Sequence, residues 1–260
     1  MASVAAVRRR PTRPFAIATV VVAAALVAWL VTLDRMTGMD AGPATDLGGM
    51  TWFLGIWGTM MAAMMLPATV PVITLFARSE STARTVGFVA GYLAVWIAYG
   101  LAAYALYRAL DALDPPLLAW DRGGPYVAGG AVVVAGIYQL TPLKAVCLRH
   151  CRSPVWHLLT RSRRGTAGAL RMGAEHGLWC AGCCWALMVV LFAVGVMSLF
   201  WMAVVAAIVL AEKALPGGAR LSRALGIALI VLGVWIAASP ASVPNLTEPA
   251  QTDAMPSMSM

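Results

Sequence analysis

Charge is scarce in this sequence. Only 12% of the 260 residues are Asp, Glu, Lys or Arg, and 61% are hydrophobic. A soluble domain carries about 25% charged residues. The shortage excludes such a domain and points to a polytopic membrane protein, as does the mean hydropathy of +0.80. Acids are rarer than bases, 11 against 19. In a soluble protein the resulting pI of about 9.7 would suggest a nucleic-acid partner. Here the arginines flank apolar runs, so the bias of Lys and Arg toward the cytoplasmic side explains them, and no nucleic acid is expected. A disulfide framework is also missing. The five cysteines are odd in number and irregularly spaced, unlike a secreted scaffold. No Gly-rich phosphate loop, His-Glu-x-x-His zinc motif or Ser-His-Asp set is visible, so binding is expected rather than catalysis.

What the sequence does have is apolar spans separated by basic or acidic links. Met1 to Pro14 is basic, with Arg8, Arg9, Arg10 and Arg13. Phe15 to Leu33 is long enough to cross a bilayer. It lacks a small-x-small cleavage site before Asp34, so it reads as a retained helix. Further spans are expected at Thr51–Ala77, Val86–Tyr107, Tyr126–Leu143, Gly173–Met197, Phe200–Ala214 and Leu225–Ala238. Pro67 and Pro71 fall inside the second and predict a kink or break there. A tight turn near Ser198 divides the fifth from the short sixth. With the N-terminus inside, the inner segments are Met1–Pro14, Arg78–Arg84, Lys144–Arg171 and Glu212–Arg223, all rich in Lys or Arg. The outer segments, Asp34–Met50, Arg108–Pro125, the Ser198 turn and the tail, are acidic or poor in these residues. The expected fold is therefore all-α, a polytopic helical membrane bundle of about seven transmembrane helices, N-in and C-out. Its parts are a basic cytoplasmic segment (1–14), one helical membrane domain (15–238) and a flexible Met-containing extracytoplasmic tail (239–260).

The candidate chemistry is soft. His176, Cys180, Cys183 and Cys184 fall at i, i+4, i+7 and i+8, on one face of a helix. Cys147 and Cys151 lie at the cytoplasmic end of the fourth span, at a matching depth, so the two thiol groups could meet. Thiolates select Cu(I), zinc or iron–sulfur; cysteine is also a small apolar residue suited to packing. The three histidines, His150, His157 and His176, all lie in or beside the cysteine clusters. Met60, Met61, Met64 and Met65 form two i, i+4 pairs just before Pro67. Thioethers bind Cu(I), while methionine also packs well against irregular helices. Met255, Met258 and Met260 lie on a polar tail, where packing offers no reason for them. Glu175 and Glu212 lie near the cytoplasmic interface, where pairing or snorkelling is cheap. Gly129, Gly130 and Gly136 read as close helix packing. Trp52, Trp57, Trp96 and Trp120 are candidates for interface anchors.

Several of these stretches together resemble a bacterial family. They are Trp57-Gly-Thr-Met60-Met61-Ala-Ala-Met64-Met65-Leu-Pro67, Gly91-Tyr92 with Val95-Trp96, and Tyr138-Gln-Leu-Thr-Pro142-Leu-Lys144. Cys147-Leu-Arg-His-Cys151-Arg-Ser-Pro154, Gly177 with Cys180-Ala-Gly-Cys183-Cys184-Trp185, and Glu212-Lys213 complete the set. The family is known as domain of unknown function 2182 and is described as predicted metal-binding integral membrane proteins. The resemblance runs from about Thr51 to Ala238. It implies a metal-binding membrane protein and no established reaction.

Three functions compete at this point. The first is a Cu(I)-handling protein of the bacterial inner (cytoplasmic) membrane, multi-pass in the lipid bilayer. It would bind through Cys147, Cys151, Cys180, Cys183 and Cys184, with His176 and His150 beside them. Met60, Met61, Met64 and Met65 would supply weaker steps, zinc is the alternative ion, and the partner would be a copper-dependent membrane or periplasmic protein. The second is a thiol redox protein using Cys180-x-x-Cys183, disfavoured by the reducing cytoplasm. The third is an assembly factor whose thiols only pack helices. The sequence leaves the oligomeric state open.

Overall fold

The computed structural model describes residues 13–37, 47–113, 123–153, 165–195 and 198–243. Among these residues the chain is helical and contains no strand. The helices are α1 (Arg13–Met36), α2 (Met50–Ser79), α3 (Thr82–Leu113), α4 (Gly124–Leu140), α5 (Pro142–Arg152), α6 (Gly165–Val194), α7 (Leu199–Ala214) and α8 (Gly218–Ala238). A 3-10 turn, Pro240–Ser242, follows. Five of them (α1, α2, α3, α6 and α8) are long and apolar enough to cross a membrane. The pair α4 and α5, bent by 67° at its break, adds a sixth if it counts as one span. Helix α7 stands where the short sixth span is expected. Its 16 residues cover about 24 Å at 1.5 Å per residue.

The second span does not break at its prolines. Helix α2 runs through Pro67 and Pro71 without interruption. Proline removes one backbone donor, and neighbouring side chains can use the carbonyls left over in a membrane helix. The carbonyls left over here belong to Ala63 and Pro67; the threonines of this stretch back-bond elsewhere on the same helix, Thr69 to Met65 O at 2.8 Å and Thr74 to Pro71 O at 3.0 Å. The break falls elsewhere. Thr141 has extended backbone and caps the next helix, its hydroxyl accepting from the Lys144 N–H at 3.3 Å. Pro142 follows at the first helical position, where its missing N–H costs nothing. The first part of Lys144–Arg171, read from sequence as a basic link, is thus the amphipathic helix α5. The turn near Ser198 is found, and Ser198 caps α7 by accepting from Trp201 N.

Close contacts set the packing. Helix α3 lies along α6, and α4 along α8. A Cβ at Gly173 would collide with the Phe88 carbonyl, and one at Gly91 with the Leu170 carbonyl. Only glycine lets the α3 and α6 backbones approach so closely, the device that small residues provide in membrane helix pairs. Trp57 and Trp96 are not interface anchors. Both are fully buried, Trp57 Nε1 donates to Trp96 O at 2.8 Å, and the Trp57 ring stacks on Tyr99 and Phe192. Trp52 is exposed, and Trp120 lies outside the described residues.

Candidate metal-handling site

The site begins with helical spacing. On α6, Cys180, Cys183 and Cys184 share one face, and all three are buried. Cys183 Sγ stands 3.3 Å from Cys184 Sγ and donates to Cys180 O at 3.2 Å. On α5, Cys147 and Cys151 are one turn apart and also buried. The 67° bend lays α5 against α6, and the two groups meet through Cys151. Its side chain contacts Cys180 and Cys183, while Cys184 contacts the same pair. Four thiols from two helices therefore form one cluster. Cys147 is placed to one side. It packs over Gly182, where a Cβ would stand 3.0 Å from its sulfur, and it interacts with Tyr138. All five cysteines are free.

Two polar side chains from other helices close on Cys180. Tyr92 on α3 brings its hydroxyl to 3.0 Å from Cys180 Sγ. Lys213 on α7 donates to the same sulfur at 2.9 Å. Sequence reasoning missed both as site residues. Each was nevertheless visible in a motif, Gly91-Tyr92 and Glu212-Lys213, whose spatial meaning needed the fold.

Beneath the thiols lies a buried ion pair. Lys144 and Glu212 are each 1% exposed, with Nζ 2.7 Å from Oε2. Lys144 also donates to the Cys183 carbonyl at 2.6 Å. Gln139 Nε2 donates to Glu212 Oε1 at 3.3 Å, and Ser222 Oγ donates to Gln139 Oε1 at 3.3 Å. Arg152 donates to the carbonyls of Glu212 and Leu215, at 3.1 and 2.6 Å. Glu212 is thus an internal strut between α5 and α7 rather than part of a charged link at the interface. Glu175 pairs with Arg171 at 3.6 Å.

The remaining candidates surround this centre. His176 is buried, with its ring 6.0 Å from Phe88 and 5.8 Å from Tyr92. His150 lies flat on Trp179 at 4.2 Å, its Nδ1 2.9 Å from Val146 O, so the ring is turned onto an aromatic plane. Met60, Met61, Met64 and Met65 are all buried in α2. Met61, Met65 and Thr69 lie at i, i+4 and i+8, on one face. The Thr69 side chain reaches Tyr92, which touches Cys180. That face of α2 therefore leads toward the thiols. Met64 instead faces Trp29, Pro67 and Leu210. His157 and the tail methionines Met255, Met258 and Met260 lie outside the described residues.

Among the described residues, no three His, Cys, Asp or Glu side chains already stand at metal-holding geometry. The thiols are turned onto one another and onto backbone carbonyls. The donor set is nonetheless soft, buried and cysteine-only. Such a set matches Cu(I) better than a hard ion.

A family model described as PpoB2, copper chaperone, matches residues 54–236. The chain belongs to this copper chaperone family. The matched segment covers more than two thirds of the chain and includes all five cysteines, Tyr92, Lys144, Glu212 and Lys213. Membership gives the metal-binding character implied by the earlier resemblance a copper-related form, under a different family description. No curated protein and no solved structure matches the chain. The soft-donor chemistry of the cluster agrees with a copper chaperone family.

Proposed function

We propose that this protein is an integral membrane Cu(I)-handling protein, with the ion as cargo and the Cys151, Cys180, Cys183 and Cys184 cluster as its principal station. One observation carries the reading. Four buried thiols from two separate helices converge beside a lysine ammonium in a chain of a copper chaperone family. A structural role alone would not require the thiols to gather at one point or a cation to be aimed at them.

The chemistry follows from the donors. Cu(I) exchanges readily between soft ligands, and a thioether binds without losing a proton. Met61 and Met65 supply weak neutral steps on the face of α2 that leads to Tyr92 and Cys180. The thiols supply the tighter steps, each losing its proton as a Cu–S bond forms, with no change of oxidation state. Cys147 flanks the cluster and offers a further sulfur along α5. A series of exchangeable sulfurs suits transfer to a partner better than permanent storage. The partner is a copper-dependent membrane or periplasmic protein. Seven spans, N-in and C-out, place the cluster toward the cytoplasmic side of the cell membrane, with the Met-containing tail outside. The basic segments next to the spans support this orientation.

The test is metal analysis of the full-length protein, purified in detergent after growth with copper. Copper is expected to copurify, and replacement of Cys180, Cys183 and Cys184 by Ser is expected to remove most of it. Copper content that is negligible, or unmoved by the triple change, would sink the proposal.

A further inference from the structure

Helix α7 carries two adjacent charges that go separate ways. Glu212 turns toward α4 and α5, where Lys144 and Gln139 engage it. Lys213, about 100° further round the helix at 3.6 residues per turn, turns toward α6 and donates to Cys180 Sγ at 2.9 Å. Its charge also acts on Cys151, Cys184 and Tyr92. A lysine near the end of a membrane helix ordinarily extends its stem so that the ammonium reaches water. Lys213 instead presents its ammonium to sulfur, while the adjacent carboxylate already has a cation of its own.

We infer that Lys213 is the residue that sets the charge preference of the site, neutralising a two-thiolate centre so that a monovalent ion is favoured over a divalent one. The inference rests on the Cu(I) reading above. The charges decide it. Cu(I) with two thiolates carries one net negative charge, and the ammonium brings the total to zero. Zn(II) with the same ligands and the same ammonium leaves one positive charge in excess, which is costly away from water. On loading, two S–H bonds are lost and two Cu–S bonds form. The two protons leave to solvent, no electron moves, and Lys213 remains an ammonium throughout. Tyr92 supplies a neutral hydroxyl at Cys180 and leaves this balance unchanged.

The test uses the full-length protein in detergent, titrated separately with Cu(I) and Zn(II) against chromophoric chelators. Lys213→Met is expected to weaken Cu(I) about thirtyfold or more, on the order of losses when one partner of a buried charge pair is truncated. Zn(II) should hold or tighten, so that the Cu(I)-to-Zn(II) preference collapses. Lys213→Arg, which keeps the charge, is expected to retain most of the preference. A second measurement needs no variant: X-ray absorption of the copper-loaded wild type should report two sulfur neighbours per copper. An unchanged preference in Lys213→Met, or three or four sulfurs around copper, overturns the inference while leaving the copper reading intact. No Cu(I) uptake by the wild type, or uptake unmoved by Cys180→Ser, overturns the copper reading and this inference with it.

Discussion

Cys180 touches more of the site than any other thiol in it. It meets Tyr92 from α3, Lys213 from α7, Cys151 from α5 and its own helix neighbours. Cys147, one turn before Cys151, faces Gly182 and Tyr138 instead. The two cysteines should therefore not be equivalent. Cys180→Ser is expected to remove most bound copper, whereas Cys147→Ser should retain the greater part, as read by copper-to-protein ratio in the purified variants. Equal losses would show that the flanking thiol belongs to the principal station. Tyr92→Phe removes one hydroxyl contact with sulfur and should lower thermal stability only modestly, by about 1 kcal/mol, the usual net worth of a hydrogen bond. Helical spacing alone revealed the thiol face of α6. The turn of His150 onto Trp179 was not legible, because sequence adjacency to Cys151 says nothing about which way a ring points.

Helix α5 decides whether the thiols of the two segments meet. Its start is encoded locally by Thr141 as cap and Pro142 as first residue, yet a run of basic residues made the segment read as a link. The direction of α5 is then held by Lys144, paired with Glu212 and hydrogen-bonded to the Cys183 carbonyl. Breaking a buried pair leaves an uncompensated charge, at a cost of about 3–5 kcal/mol. Glu212→Ala should destabilise the protein by that order in a detergent melt. The double variant Lys144→Met with Glu212→Leu should recover much of the loss, since apolar replacement of both partners is often neutral. If the double variant is as unstable as the single one, the pair matters for something beyond charge compensation. The α3–α6 contact offers a steric counterpart. Gly173→Val would drive a side chain into the Phe88 carbonyl, and overpacking costs about 1–3 kcal/mol or more. A clear fall in melting temperature is expected, and an unchanged melt would refute the close approach of these helices.

The proposed path of the chain across the bilayer rests on its charge. Basic residues cluster on alternate links, which is what the proposed N-in, C-out, seven-span chain calls for. A periplasm-dependent reporter enzyme fused after residue 243 should be active, and the same enzyme inserted at residue 80, between α2 and α3, should be silent. Reversed activities would invert the topology and move the thiol cluster to the opposite face. Among the described residues, the helices long and apolar enough to cross by themselves number five, or six if the bent pair counts as one span. The 16-residue α7 is therefore the element on which the seven-span path depends.

Composition and periodicity were sufficient by themselves to establish an apolar, helical chain, the approximate position of most helices and the soft-ligand face of α6. These properties are local, because hydropathy and a 3.6-residue repeat act along one segment at a time. The burial of Trp57 and Trp96 and the pairing of Lys144 with Glu212 depended on neighbours distant in sequence. So did the convergence on Cys180. Tyr92 reaches it only because two glycine faces let α3 and α6 close together. Lys213 reaches it because α7 packs beside α6, while Glu212, one residue earlier, is engaged by Lys144. Such contacts depend on how helices pack in space, and tertiary structure alone decided them.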